Sequence, residues 1–277
     1  MLKYRATVAY DGTDYCGFQI QRDQSTIQGE IERALRRLTQ SDVRISAAGR
    51  TDTGVHAHGQ VIHFTTDWSH GTSALERGMN ALLPKAIAVR DLAAAGESFH
   101  ARFDAVRRVY VYRLYLAQTR LPLLDRFECH AGSELDLRQM SEAGRCLIGT
   151  HDFAAFGQPP GSTTIRTLFD VRLEAGRSRT GMLVLDQAQH LQVVVQGNAF
   201  LRGMVRRIVG MMLAVGRGRL TEDDVRGILA SGDISRAEPP AAACGLSLWR
   251  VEYAQAGPPN EAQETDRCVE AEPKRAA

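Results

Sequence analysis

Residues 108–117 read RVYVYRLYLA, a run of valine, tyrosine and leucine with arginines set into it. β-Branched and aromatic residues at this density specify a strand. Successive side chains of a strand point to opposite faces, so Arg108, Tyr110 and Tyr112 share one. Downstream come a helical pattern over 136–149, strands over 164–175 and 190–198, a long helix over 199–216 and a last strand over 245–253. Upstream the same order runs through a strand at 4–12, a helix at 25–40, strands at 43–47 and 60–66, a helix at 72–83 and a strand at 86–95. Strand, helix, strand, strand, helix, strand thus occurs twice, although the halves share no convincing sequence identity.

Two split β-α-β halves of this kind make an α+β fold, a mixed, largely antiparallel sheet with helices on one side and an open basic cleft. The helix-free face is the expected place for a groove that receives a large ligand. The expected division is residues 1–105 for an N-terminal half, 106–255 for a C-terminal half that completes the cleft, and 256–277 for a disordered tail. The tail reads AGPPNEAQETDRCVEAEPKRAA, short of large apolar residues and richer in acids than bases. Formal net charge is only +2, so a polyanionic partner is suggested less by the sum than by where the arginines fall. Five cysteines, none paired at two-residue spacing, fit neither a disulfide framework nor a thiolate zinc site. No apolar run approaches a membrane span, and the first residues lack a secretory signal, so a cytoplasmic protein is expected.

Four local patterns qualify the outline. Ser25 and Gln28 have the spacing of a capping box, and Ile27, Ile31, Ala34, Leu35 and Leu38 recur at helical spacing behind it. In the 199–216 helix, Phe200, Met204, Val205, Ile208, Val209 and Met212 make an apolar face, with Arg202 and Arg206 four apart on another side. Arg206 emerges at the edge of the buried face, where it could approach a carboxylate. Gly216-Arg217-Gly218 reads as a helix stop. His56, His58 and His63 lack a supporting carboxylate or thiolate at ligand spacing and read as surface or core histidines.

The stretch between the strands at 43–47 and 60–66, SAAGRTDTGVHAHGQ (46–60), sets Asp52 two residues after Arg50 on a turn that Gly49 and Gly54 permit. A neighbouring guanidinium keeps a carboxylate ionised, which suits a nucleophile or an electrostatic anchor. An ordinary turn with a structural Asp–Arg pair has the same letters. Asp52-Thr53-Gly54 also matches the triplet of aspartic proteases, but those need two carboxylates sharing a proton, and only one such triplet is present. Arg108, Tyr110 and Tyr112 either stack bases and neutralise phosphates or belong to the core. A non-catalytic RNA-binding module would use these residues and leave Asp52 without a task.

Six ordered blocks remove most of that ambiguity. YDGTDYCGFQIQ (10–21), GRTDTGVHA with GQVIHF (49–64), HARFDAVRRVYVY (100–112), GTHDFAAF (149–156), NAFLRGMVRRIVG (198–210) and GLSLWRVEY (245–253) together resemble the tRNA pseudouridine synthase A family. Thr53 stands where that family usually has alanine, and Phe18 where it often has tryptophan. The resemblance implies cofactor-independent isomerisation of uridine in the tRNA anticodon arm, at conventional positions 38, 39 and 40, by a homodimer. It implies Asp52 as nucleophile, Tyr110 as the tyrosine stacked on a flipped uracil, and Arg206 as the partner of the catalytic carboxylate. By the same resemblance Arg50 helps extrude the target nucleotide and Arg108 contacts phosphate. No metal is implied.

Overall fold

The computed structural model describes residues 1–158, 163–176 and 188–254; the expected tail lies outside them. The first half contains β1 (Leu2–Tyr10), α1 (Ile27–Thr39), β2 (Ile45–Ala47), β3 (His56–Thr66), α2 (Thr72–Leu82) and β4 (Ile87–Ala94). The second contains β5 (Ala105–Leu116), β6 (Cys129–His130), α3 (Leu137–Arg145), β7 (Gly149–Asp152), β8 (Ile165–Ala175), β9 (Gln189–Gly197), α4 (Met204–Gly216), α5 (Glu222–Ser231) and β10 (Leu246–Tyr253). The short strands β6 and β7 and the helix α5 are additions to the order read from sequence. α5 carries a full capping box, Thr221 with Asp224, before an apolar pair, Val225 and Ile228.

All ten strands join one sheet, in the order β4-β1-β3-β10-β5-β9-β8-β7, with β2 on β3 and β6 on β5. Pairings are antiparallel apart from β10 with β3 and β5 with β6. The fold is therefore the mixed, largely antiparallel α+β sheet expected. The last strand to be made lies in the middle: β10 pairs with β3 through Ser247 and Leu248, and along most of its length with β5.

One sheet face carries the core. Tyr4, Val8, Ile62, Phe64, Tyr112, Leu114, Val193 and Leu248 point into it and are covered by the apolar stripes of α1, α3 and α4. Burial of that apolar area is the main favourable term in holding helices to sheet. On the other face Val109, Val111 and Val194 form a small separate cluster. Arg108, Tyr110 and Tyr112 do share a face, but it is the helix-bearing one, where they are 7%, 7% and 0% exposed. The expected position of the groove on the helix-free face is thus corrected. The alternation that aligned these three residues says nothing of which face the helices cover.

Two helix starts also differ from the sequence reading. α1 begins with Thr26 as its cap, whose hydroxyl accepts from Gly29 N at 3.3 Å, and the Ser25–Gln28 box does not form. The reason is tertiary: the Ile27 and Gln28 N–H groups donate to the carbonyls of Gly17 and Phe18, so the preceding loop satisfies the helix end. α4 begins at Met204 and not at Ala199, because Gly203 takes φ 73° and turns the chain. Leu201 and Arg202 are consequently outside the helix, and Arg202 makes an isolated bridge with Gln158. At its other end α4 stops as expected, with Gly218 at φ 69° and the N–H of Arg219 donating to Ala214 O at 2.9 Å.

Candidate active site

The loop between β2 and β3 is held from three sides. Phe18 N donates to Thr51 O at 3.1 Å, and the Thr51 hydroxyl lies 2.7 Å from the hydroxyl of Tyr10 on β1. Gln60, fully buried on β3, brackets Gly49 by accepting from its N–H at 3.3 Å and donating to its carbonyl at 2.8 Å. Gly17, at φ 85°, passes so close that a Cβ there would stand 2.8 Å from Thr51 O. The loop therefore cannot move without breaking buried hydrogen bonds, which fixes where Asp52 points.

Asp52 faces a cleft of about 840 Å³ on the helix-bearing side, between the loop before α1 and the segment before α4. Among the described residues the lining contains six arginines, at 50, 102, 108, 166, 202 and 206, and one carboxylate, Asp52. Arg206 Nη1 lies 3.4 Å from Asp52 Oδ2, and Arg202 Nε 3.9 Å from Oδ1. Arg206 is aimed by its Nε, which donates to Ala241 O at 2.7 Å, while Ala241 N returns a bond to Arg206 O at 2.9 Å. The segment that supplies Ala241 presses against α4 at Gly210, where a Cβ would meet Pro239 O at 2.4 Å. The approach of Arg206 to a carboxylate, read from its place on the helix edge, is thus present. Arg202 joins it from outside the helix.

Tyr110, on β5, lines the same cleft with its ring edge-on to Phe200 at 5.0 Å. Burial pushes its hydroxyl up to about 12, with Arg108 opposing and the charge of Asp52 adding to the rise. It is a phenol, not a phenolate, at neutral pH. Arg50 is exposed at the rim of the cleft.

Arg108 has another task than the one expected. Its Nε and Nη2 donate to Ala48 O at 3.3 and 3.1 Å, and Nη2 also to Arg102 O at 2.6 Å. Its Nη1 donates to Ala105 O at 3.0 Å and to Asn198 O. A guanidinium has five N–H donors, and here each reaches a backbone carbonyl. The phosphate contact expected of Arg108 is revised: the side chain is a clamp that ties the Asp52 loop to the 102–105 turn and to the end of β9.

The histidines are used structurally. His56 Nδ1 accepts from Gly12 N at 3.0 Å and Nε2 lies 3.1 Å from Cys244 O. His63 Nδ1 accepts from Ala101 N at 3.1 Å, and His58 packs on Trp249 at 4.3 Å. No group of three metal-ligating side chains occurs among the described residues. Thr53 is exposed, so the larger residue at that position meets solvent, and Phe18 is buried against Tyr10 at 6.1 Å. Thr51 and Gln60 were not singled out from sequence, and Arg202 was noted beside Arg206 without a task in the site. A buried glutamine on an otherwise apolar strand face was the available signal for Gln60; nothing local marked Thr51.

A mixed sheet with helices on one face holds an arginine-paired carboxylate on a braced loop, and the sequence comparisons place this arrangement in the class of RNA-modifying isomerases of the pseudouridine synthase type. The sequence profile described as tRNA pseudouridine synthase matches residues 6–104 and 143–254, and the chain belongs to that family. It is 44% identical over 248 residues to the tRNA pseudouridine synthase A of Chloroflexus aurantiacus, covering 89% of this chain and 87% of that one. With the tRNA pseudouridine synthase A of Syntrophotalea carbinolica it shares 39% over 252 residues, covering 90% of this chain and 96% of that one. Among solved structures, an H/ACA RNP bound to a substrate RNA containing 2'-deoxyuridine aligns with a TM-score of 0.30 at 9% identity, covering 76% of this chain and 53% of that one. That likeness is too slight to bear on the site.

Proposed function

We propose that this protein converts uridine to pseudouridine at positions 38, 39 and 40 in the anticodon arm of tRNA, with Asp52 as the nucleophile acting on a flipped-out uridine. The observation that carries the reading is the placement of Asp52 as the one carboxylate, among the described residues, of an arginine-lined cleft, 3.4 Å from Arg206. The reaction breaks the N1–C1′ bond, turns the uracil, and joins C5 to C1′; N1 gains a proton and the hydrogen on C5 leaves as a proton. No electrons are gained or lost. A carboxylate serves it by adding to C1′, by adding to C6, or by stabilising a glycal intermediate, and each route needs Asp52 ionised and close to the sugar.

The neighbours divide the remaining work. Arg206, with Arg202 behind it, pairs with the carboxylate of Asp52 and limits its rotation. Tyr110 and Phe200 offer aromatic surface to the flipped uracil. Arg50, exposed at the rim, is placed to fill the gap left in the stack, because chemistry on a paired base requires that the base be taken out. The rest of the tRNA follows the arginines of the cleft by phosphate contact. The dimer rests on the family resemblance alone; sedimentation that shows a monomer at working concentrations removes it.

The deciding experiment is release of tritium from tRNA transcribed with uridine labelled at C5, with wild type and Asp52→Asn side by side. Wild type releases label; the variant, which still binds tRNA, loses turnover by about a thousandfold or more. Appreciable turnover by Asp52→Asn ends the nucleophile assignment. No release by wild type ends the synthase reading for this substrate.

A further inference from the structure

One buried cation of the cleft has no carboxylate partner among the described residues. Arg166, at the start of β8, is 8% exposed and lines the same cleft as Asp52. Its one hydrogen bond among the described residues runs from Nη1 to the carbonyl of its neighbour Ile165, at 2.6 Å. Its Nε is buried without a partner. Among the described residues no carboxylate forms an ion pair with it, and the one carboxylate of the cleft is held by Arg206 and Arg202.

The contrast with Arg108 is informative. Both residues have little exposed surface, 7% and 8%, with the Arg108 guanidinium the deeper of the two, and both come from strands of the second half. Arg108 has all its donors on carbonyls; Arg166 has most of its donors in reserve. Burial lowers the pKa of Arg166, and the charge of Arg102 lowers it further, so a second cation is near. Arginine nevertheless stays charged at neutral pH. A buried charge without a counter-ion, next to another of the same sign, destabilises the free protein. Such a pair is relieved by an anion with several acceptor oxygens, and a phosphodiester has the geometry that a guanidinium fork fits.

We propose that Arg166, with the exposed Arg102 beside it, forms a subsite in the cleft that binds a backbone phosphodiester of the substrate RNA close to the target nucleotide. The subsite rests on the synthase reading, since it takes the cleft to be the RNA site. A small acid is a poorer fit than a polyanion, because three arginines of the cleft, Arg50, Arg102 and Arg166, have no ion pair among the described residues, and one bound acid would answer only part of them. Arg166 acts as a positioning residue: it fixes the strand next to the flipped uridine, as Arg206 fixes the carboxylate.

The test is equilibrium binding of full-length unmodified tRNA over a salt series, by wild type, Arg166→Gln, Arg166→Lys and Arg226→Gln, with thermal melting of each protein alone. Arg226 is an exposed control, paired with Glu222 on α5. Arg166→Gln weakens binding about tenfold and flattens the dependence of log Kd on log salt by about 0.7 to 0.9, the loss of one phosphate contact. Arg166→Lys keeps the slope, and Arg226→Gln keeps both slope and affinity. Arg166→Gln melts no lower than wild type, because the charge removed had no partner. Weakened binding with an unchanged slope, a drop in melting of several degrees, or equal flattening by Arg226→Gln makes Arg166 structural and overturns the subsite. Tritium release by wild type is scored separately, so a failed subsite and a failed synthase reading give different results.

Discussion

Asp52 and Tyr110 lie on different halves of the chain, and their chemistry is set by what surrounds them. A phenol raised to about 12 is ionised in roughly one molecule in 10⁵ at neutral pH. On the proposed reading Tyr110 therefore acts as a neutral hydroxyl that hands a proton on, and not as a phenolate. Tyr110→Phe keeps the ring and so keeps tRNA affinity, while single-turnover rates fall by about a hundredfold. A wild-type rate would leave the hydroxyl without a chemical task. Asp52 was legible in the sequence because a carboxylate between glycines two residues from an arginine is a local pattern. Arg202 was not, since its approach to Asp52 spans 150 positions and depends on where α4 begins. Arg108 was expected to contact phosphate, yet its donors lie on backbone carbonyls, because spacing shows which face a side chain shares and not which carbonyls wait for it.

At the scale of elements, the braced loop depends on close approach. Gly17 has φ 85° and no room for a side chain against Thr51 O. Gly17→Ala therefore destabilises the protein by about 1–3 kcal/mol and also lowers turnover, because the displaced atom belongs to the loop that aims Asp52. Urea unfolding and tritium release measure the two losses; loss of stability with full turnover would mean that the loop tolerates displacement. The helices and most strands could be read from apolar periodicity, as in Ile27, Ile31, Ala34 and Leu35 of α1. Helix starts could not be read so well. Ser25 has the right letters for a cap, but the loop at Gly17 and Phe18 reaches the helix end first. The long helix lost its first turn to Gly203, whose left-handed conformation outweighs the apolar pattern that continues through it.

The whole molecule keeps several tyrosines un-ionised. Burial raises Tyr110 and Tyr115 to about 12, and Tyr10 and Tyr253 further still. In the unfolded chain these groups titrate near 10. Below that pH both states hold the proton and the shifts leave stability unchanged. Above it the unfolded chain gives up protons that the folded one keeps, so stability falls as pH rises from about 10 through about 12. Urea midpoints across this range, followed with phenolate absorbance, should drop together with a cooperative gain of ionised tyrosine. Ionisation of these groups before unfolding would contradict their burial. Two-half organisation was visible in the repeated element order. That all strands share one sheet was not, because alternation identifies a strand and leaves its neighbours open.

The position of β10 has a consequence for how the protein comes into being. During synthesis β3 and β5 leave the ribosome long before Leu246, the first residue of the strand that separates them in the finished sheet. Until then β3, which follows the Asp52 loop, and β5, which carries Tyr110, lack the strand that joins them in one sheet. The nascent chain holds two partial sheets, each with an open edge where the other will attach through β10. Chains cut short before β10 thus carry Asp52, Tyr110 and Arg206 and the Arg108 clamp, but lack the strand that pairs with both β3 and β5. Synthesis of β10 is in this sense the step that joins the two partial sheets into one.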